Sequence, residues 1–365
     1  MNDDAVELPE PHRIIHVTRL EEPVRAIADV EAWQARESHP GLRPSGAVFA
    51  VTEQEVDSRW RIISFGDHTP QGGRDGLGRV CRMRAEAAAR AGDGPAERDW
   101  LAGAALMDRE KRDDLTVRDR RFRIARAETF LRMGPDGPEP PRPTDPDPLR
   151  GESGGPSAVT GFLLDPTAGK GMAEAILTYD LLQFVLPAAD VPADVSAASA
   201  RALRTHPGGV LLPPAFAVLE KQEEGWLLRS SGCDTPQEAR EGLALRYEVL
   251  APEFVRPAAG RRRPPEMPQE IRDVMARSYG VHGPRGRPLT RRELRTAVRA
   301  TARMRRERLD EIGVAGRTYR VVRQERLMRL GADGPEPPRP SDWDPDPPIA
   351  VQAERDRVAG ITHDD

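Results

Sequence analysis

The sequence predicts an α+β fold that is built twice in one chain, on three observations. A Pro-rich signature is duplicated, short strands alternate with helices ahead of each copy, and each copy ends in an extended segment. Residues 134–148 read GPDGPEPPRPTDPDP and residues 331–345 read GADGPEPPRPSDWDP, which agree at 12 of 15 positions. A self-match of this kind predicts a tandem duplication, and it has to be found before the fold is assigned.

The match extends upstream of the signature. FRIARAE at 122–128 aligns with YRVVRQE at 319–325, and Trp60 aligns with Trp226. These correspondences predict six segments along the chain. They are an acidic tail at 1–11, repeat one at 12–148, a linker at 149–178, repeat two at 179–346 with a basic insertion within about 255–303, and a tail at 347–365.

The first elements are predicted from hydrophobic periodicity. Ile14–Val17 is typical of a short strand. Residues 22–36 are typical of a helix, and one face of that helix would carry Val24, Ile27, Val30 and Trp33. The sequence His39-Pro-Gly ends that helix, because proline cannot continue it. Residues 47–51 and 60–65 then predict two strands joined by a polar hairpin.

The later elements are predicted most clearly in repeat two. Thr235-Pro-Gln-Glu238 and Thr290-Arg-Arg-Glu293 both have the spacing of a capping box at a helix start. Further helices are expected over about 97–114 and 291–311. The last strands are expected over about 120–132 and 317–329. An Asp-Gly turn and a Pro-rich segment close each copy, and we expect that segment to be extended because proline fixes φ.

Taken together, the predicted order in each repeat is β-α-β-β-α-(α)-β. This is the ferredoxin-like order with one extra helix. Two such units in one chain predict a pseudo-dimer tied by Pro-rich straps. We expect the chain to act as a monomeric pseudo-dimer or to form a homodimer.

Composition excludes some classes of protein. The chain has 365 residues, a net charge of −4, 36 prolines and 32 glycines. Cys81 and Cys233 are not at equivalent positions and predict neither a disulfide framework nor a metal site, which is typical of a reducing cytoplasm. The acidic start is unlike a signal peptide, and no apolar run is long enough to span a membrane.

The Arg-x-Glu of the last strand followed by GPDGPEPPRPSDxDP resembles an actinomycete tandem-repeat family whose function is unknown. The resemblance covers most of the chain. It implies a soluble cytoplasmic protein from an organism with a GC-rich genome. It implies no activity, cofactor or catalytic residue.

The last strands supply the main candidate site. A two-residue period places arginines and glutamates on a face that also carries apolar residues. The candidates are Arg126, Glu128, Arg132, Arg323, Glu325 and Arg329. A charge near a core must be paired or must bind something, which predicts an anionic-ligand pocket where the repeats meet. The alternative is an exposed ladder of cross-strand ion pairs, which would contribute little.

The Pro-rich segments are predicted to be structural straps, with Trp60 and Trp226 as docking surfaces. One alternative is a recruitment tail for another protein. A second is a hard-cation site at paired carboxylates such as Asp145 and Asp147. We predict no metal, no cofactor and no catalytic residue.

A second candidate surface lies in the basic segment 256–308, which holds 16 arginines and 5 acidic residues. The candidates for nucleic-acid contact are Arg291, Arg292, Arg295 and Arg299. No nucleic-acid-binding motif accompanies them, and a solvated helix face is the alternative.

The leading hypothesis from sequence is a cytoplasmic, non-catalytic binding or assembly protein. It would recognise a protein partner or a small anionic ligand. The second hypothesis is a nucleic-acid-associated protein that uses residues 256–308. The third is an enzyme with its site in the cleft between the repeats. The fold alone cannot choose among them.

Overall fold

The computed structural model describes residues 14–148, 157–255, 265–281 and 287–361. It confirms the predicted α+β class. The helices are α1 Pro23–Ser38, α2 Pro70–Arg90, α3 Gly94–Met107, α4 Met172–Leu182, α5 Ala193–Thr205, α6 Pro236–Leu250, α7 Gln269–Ser278, α8 Arg291–Glu307 and α9 Ile349–Ala359. The strands are β1 Gly41–Gln54, β2 Trp60–Asp67, β3 Asp114–Val117, β4 Arg120–Gly134, β5 Gly137–Pro138, β6 Leu163–Leu164, β7 Gly208–Gln222, β8 Gly225–Cys233, β9 Glu311–Val314, β10 Arg317–Gly331 and β11 Gly334–Pro335.

All of these strands belong to one antiparallel sheet. Its main order is β6-β2-β1-β4-β10-β7-β8, with β3 and β5 beside β4 and with β9 and β11 beside β10. The long last strand of each repeat, β4 or β10, therefore lies at the centre of the sheet. The two strands pair directly, from Met328 opposite Ala127 to Gln324 opposite Leu131. The sheet thus runs continuously through the junction of the repeats.

One face of the sheet carries the larger helices. In repeat one, α2 and α3 pack over Phe49, Phe122 and Ile124, and in repeat two α6 and α8 pack over Phe216 and Val321. Between these two cores, α4 covers the centre, where its leucines meet Phe130 of β4 and Leu327 of β10. We call this the helical face. Burial of these apolar side chains is the main favourable contribution to folding.

The opposite face of the sheet centre is covered by residues 157–164, which end in β6. Val159 and Leu164 of this segment pack against Trp60, Ala127 and Met328. We call this the strand-covered face. Because successive side chains alternate across a strand, the even-numbered residues of β4 point to the helical face and the odd-numbered residues point to the strand-covered face.

The helix starts follow from local capping. Thr69 accepts a hydrogen bond from the Gly72 N–H, and Thr235 accepts one from the Glu238 N–H, each at 3.1 Å. At α8 the predicted capping box of Thr290 and Glu293 is complete. At α6 it is half formed, because the Glu238 carboxylate accepts from the preceding Asp234 N–H at 2.9 Å.

The predicted first strand was wrong in both repeats. Ile14–Val17 is not a strand, since Val17 makes only an isolated parallel bridge to Lys170. The corresponding start of repeat two lies in the last turn of α4 and the residues after it. Within the residues described, neither repeat therefore has the first strand of the ferredoxin-like order.

The inward face of α1 also differs from the prediction. Val24, Ile27, Val30 and Trp33 are exposed, by 61%, 54%, 58% and 40%. Asp29 explains the orientation, because its carboxylate accepts from the N–H groups of Ala173 and Glu174 at the start of α4, at 3.0 and 3.2 Å. The small side chains of α1 then face inward, and they are Ala32 and Ala35.

In the part of the chain that the structure describes, no helix has the length and apolar character needed to cross a membrane.

Candidate functional site at the junction of the repeats

On the helical face, five charged residues surround Glu128. Its carboxylate lies 2.8 Å from a guanidinium nitrogen of Arg126 on the same strand and 2.8 Å from one of Arg339 in the Pro-rich strap of repeat two. Arg329 of β10 is 3.7 Å away. We call this set the Glu128 cluster. It comprises Arg126, Glu128, Arg329, Glu336, Arg339 and Asp342.

An equivalent set surrounds Glu325. Glu325 pairs with Arg323 on its own strand and, at 3.1 Å, with Arg142 in the strap of repeat one. Asp145 binds Arg323 at 3.1 Å, as Asp342 binds Arg126 at 3.0 Å. We call this set the Glu325 cluster. It comprises Arg132, Glu139, Arg142, Asp145, Arg323 and Glu325.

Both clusters are largely buried, and each contains three arginines and three carboxylates. Burial alone would raise the pKa of Glu128, but Arg126, Arg339 and Arg329 outweigh it and hold the pKa below its ordinary value. The pKa of Glu325 is likewise lowered, through Arg323, Arg142 and Arg132. The six residues predicted from the last strands are therefore brought together, but as two internally neutralised networks. They do not form an exposed ladder.

The two clusters differ at one arginine. Nη2 of Arg329 donates to the carbonyls of Leu181 and Leu182 at the end of α4, at 3.2 and 3.0 Å. The described residues of repeat one place no helix in the equivalent position, and Arg132 instead has Glu139 at 4.0 Å. Burial lowers the pKa of both arginines.

The Pro-rich straps reach across to the opposite repeat. Asp344 of repeat two binds Arg74 of α2 at 2.7 Å, and Asp147 of repeat one binds Arg240 of α6 at 2.8 Å. The Asp-Gly turns dock on the two tryptophans, Gly334 over Trp60 and Gly137 over Trp226. The strap carboxylates thus complete ion pairs of the other repeat. In the described residues, no group of three or more His, Cys, Asp or Glu side chains could hold a metal ion.

The register at the centre of the sheet defines a local two-fold axis. Thr129 of β4 lies opposite Arg326 of β10. These are equivalent positions in the two aligned repeats. On either side of this pair, Glu128 lies opposite Leu327 and Glu325 lies opposite Phe130. The axis therefore passes between one threonine and one arginine, which differ in both size and charge.

Arg326 points to the strand-covered face, away from both clusters. Its side chain is 2% exposed, and its Nε and Nη2 donate to the carbonyls of Pro213 and Pro214 at 2.7 and 2.8 Å. Those carbonyls lie at an irregularity in the pairing of β7 with β10. Burial lowers the pKa of Arg326 to about 10, only partly offset by Asp234 at 3.7 Å. Nη1 donates a hydrogen bond to none of the residues described.

A cavity of about 440 Å³ opens beside Arg326. Its size falls within the range of small-molecule sites, and its wall mixes apolar surface with a few hydrogen-bonding groups. We call it the junction pocket. It is lined by Ser45, Gly46, Ala47, Val48, Phe65, Gly66, His68, Thr129, Ser157, Ala215, Leu228, Ser231, Gly232, Asp234, Gln324 and Arg326.

The polar part of the pocket wall is held in place by hydrogen bonds. Nε2 of Gln324 donates to Ser45 Oγ at 2.9 Å, Ser45 Oγ donates to Thr129 Oγ1 at 2.9 Å, and Thr129 Oγ1 donates to the Gly46 carbonyl at 3.0 Å. The Phe65 ring lies 5.1 Å from the Arg326 guanidinium carbon. The pocket therefore offers one buried cation, a fixed hydroxyl row and an apolar wall.

The predicted basic surface lies on α8. The Arg291 side chain already has partners within the protein, because it forms an ion pair with Glu266 at 3.0 Å and lies over the Phe254 ring. Arg292, Arg295 and Arg299 are exposed. Of the basic segment, residues 256–264 and 282–286 lie outside the described residues.

Sequence reasoning missed Arg326. The candidates predicted from the last strands all lie on the face that carries Arg126 and Arg323, whereas Arg326 is on the other face. The signal was present in the aligned last strands, where Thr129 is matched by an arginine.

The fold and the junction define an α+β protein in which both halves of the chain contribute strands to one antiparallel sheet, and the Pro-rich strap of each half binds the other half. The chain belongs to a family of unknown function, DUF5954, whose model matches residues 22–346. No curated protein and no solved structure matches it.

Proposed function

We propose that this protein is a non-catalytic binding protein that holds a small carboxylic acid in the junction pocket. Arg326 would pair with the carboxylate. The observation that carries the proposal is a buried guanidinium, with one nitrogen lacking a hydrogen-bond acceptor among the described residues, in the wall of a ligand-sized pocket. A buried charge that is incompletely paired is unfavourable unless something binds it.

The fold does not require an arginine at this position. The equivalent Thr129 lies across the two-fold axis and is satisfied by neighbouring oxygens. Arg326 does hold the Pro213 and Pro214 carbonyls, which is a structural role that uses Nε and Nη2. The remaining nitrogen is the one available to a ligand.

The charges in the pocket favour a single carboxylate over a dianion. Asp234 already lies 3.7 Å from the guanidinium, so a second negative charge on the ligand would be repelled by it. The apolar body of the ligand would lie against Phe65, Ala215 and Leu228. A planar guanidinium fits a carboxylate well.

We infer a tandem duplication of one unit, supported by the paired caps at Thr69 and Thr235 and by the paired turns over Trp60 and Trp226. We also infer a cytoplasmic protein of an actinomycete. The two cysteines support the compartment, because both are free.

The test is isothermal titration of the purified chain with a panel of small aliphatic and aromatic monocarboxylic acids. We expect saturable binding by at least one acid, and loss of that binding in Arg326→Thr, which copies the equivalent residue of repeat one. A far-ultraviolet spectrum and a melting curve show whether the variant is folded.

A second pair of variants separates the pocket from the stability of the fold. Leu228→Trp fills the pocket and leaves Arg326 intact, whereas Leu227→Trp, the matched control, adds the same bulk at a neighbour outside the pocket wall. We expect only Leu228→Trp to lose binding. Equal binding by both variants, or no binding of any acid to the wild type, would refute the proposal.

A further inference from the structure

The surface of α8 is divided sharply between apolar and basic residues. Its inward residues are buried in the core of repeat two, and they are Leu294, Ala297, Val298, Thr301 and Met304. Its outward face presents Arg292, Arg295 and Arg299, which lie three and four residues apart and so follow one line along the helix. We call these three residues the α8 arginine row.

The α8 arginine row is not neutralised by neighbouring carboxylates. Other arginines of the helix are, since Arg303 and Arg306 bind Glu307 at 2.7 and 2.9 Å and Arg305 binds Glu248 at 3.0 Å. Within the described residues, none of the three arginines of the row has a carboxylate within 4.0 Å. Three exposed cations in a line therefore face solvent.

The fold of the helical face does not require this row. In repeat one, α3 takes the place before the last hairpin, and its sequence GPAERDWLAGAALM contains one arginine between two acidic residues. The segment around α8 is the basic one, with 16 arginines against 5 acidic residues in 256–308. Of these two helices, only α8 carries a row of exposed arginines.

We propose that the α8 arginine row binds the phosphate backbone of a nucleic acid. Arg292 and Arg299 are about 10 Å apart along a helix that rises 1.5 Å per residue. One strand of a duplex carries a phosphate every 3.4 Å or so of its axis, so the row spans a few nucleotides. The binding is independent of base sequence, because phosphate contacts position a protein and do not read bases.

A protein partner fits the row less well. Protein interfaces have cores depleted of charge and enriched in aromatic residues. The exposed face between Arg292 and Arg299 adds only Thr296 and no apolar side chain. The row also lies apart from the junction pocket, with which it shares no residue. This inference therefore stands or fails independently of the proposed function.

The experiment is fluorescence anisotropy of the full chain with a short labelled RNA and a short labelled duplex DNA, titrated from about 50 to 200 mM salt. The test variant is Arg292→Ala/Arg295→Ala/Arg299→Ala. The control variant is Arg98→Ala/Arg201→Ala/Arg355→Ala, which removes the same charge from exposed positions on α3, α5 and α9.

We expect the wild type and the control to bind, with affinity that falls steeply as salt rises. The test variant should bind at least tenfold more weakly at low salt, and its log–log salt slope should be smaller by about 0.9 for each duplex phosphate that the row no longer neutralises. The inference is overturned by either of two results: no binding by the wild type at low salt, or equal weakening of binding in the test and control variants.

Discussion

Charged residues in this protein have very different energetic roles depending on burial. Glu128 is 7% exposed and is shared by Arg126 and Arg339, so removing its charge would leave two buried cations with one carboxylate fewer each. Glu354 pairs with Arg357 on the surface of α9, where solvent screens the interaction. The same type of ion pair is thus structural in one place and nearly neutral in the other.

We therefore predict that Glu128→Gln lowers the free energy of unfolding by about 3–5 kcal/mol, the range found when one partner of a buried pair is removed. The matched change Glu354→Gln should stay within about 0.5 kcal/mol of wild type. Urea denaturation followed by circular dichroism measures both. Comparable losses in the two variants would contradict the assigned role of the Glu128 cluster.

The same clusters predict the response to acid. The folded-state pKa values of Glu128 and Glu325 lie below the ordinary value of 4.5. The unfolded chain then binds more protons at these sites, so their stabilisation is full above that value and is lost as pH falls through the folded-state pKa.

We expect the melting temperature of the wild type to fall as pH drops below about 4.5, and Glu128→Gln/Glu325→Gln to show a shallower fall over the same range. Differential scanning calorimetry from neutral pH to pH 3 measures this. Parallel curves for the two proteins would show that other carboxylates control the acid response.

At the scale of secondary-structure elements, the Asp-Gly turns lie close against the two tryptophans. Gly334 has φ +118°, and a Cβ there would lie 2.6 Å from Trp60 Nε1. Gly66 has a nearly equal φ of +116°, and no atom of the described residues lies within 4 Å of its Cβ position. Alanine at Gly66 would meet backbone strain alone, whereas alanine at Gly334 would meet the same strain and a steric overlap with Trp60.

We predict that Gly66→Ala costs about 1–2 kcal/mol of stability from φ alone. Gly334→Ala should cost roughly 2 kcal/mol more, because the turn must also move off Trp60. Chemical denaturation measures the difference, and a change in tryptophan fluorescence that disappears when Trp60 is replaced by Phe reports displacement of the turn. If the two variants are equally stable, the turn is not held against the ring.

How much of the fold and of the candidate site could be predicted from sequence depends on how far apart in the chain the interacting residues lie. Local periodicity and a local pattern predicted β1, β2, β4 and β10, the helices α1, α3, α6 and α8, and the candidate charges at Arg126 and Arg323. The predicted strand Ile14–Val17 was wrong, and α4, α5, α7 and α9 were not predicted. The partners Asp342 and Asp145 could not be assigned, because they come from straps far away in the sequence. The inward face of α1 was missed for the same reason, since Asp29 bonds to Ala173 at a sequence separation of 144 residues.

At the scale of the whole molecule, the exchanged straps couple the two repeats. Asp344 lies near the end of repeat two, yet its carboxylate binds Arg74 and Lys111 of repeat one and accepts from the Gln71 N–H. Neither half therefore has all of its ion pairs without the other. We expect a single cooperative unfolding transition for both halves.

A sharper test uses hydrogen exchange in Asp344→Asn. We predict faster amide exchange in α2 of repeat one, although the substitution is in repeat two, because Arg74 loses a partner at 2.7 Å. The matched control is Asp346→Asn, two residues along and exposed. Faster exchange confined to 331–345, with α2 unchanged, would mean that the strap does not support the opposite repeat.

The exchange of straps also sets the order of events during synthesis. Repeat one ends at residue 148, but the strap that completes its ion pairs is not made until residue 345. At 5–20 residues per second, the ribosome needs roughly 10–40 s to cover that distance. For that time the nascent first half carries Arg74 and Arg126 without the strap carboxylates that neutralise them. The edge of β4 that pairs with β10 is also without its partner strand during that time, and an unpaired strand edge favours aggregation.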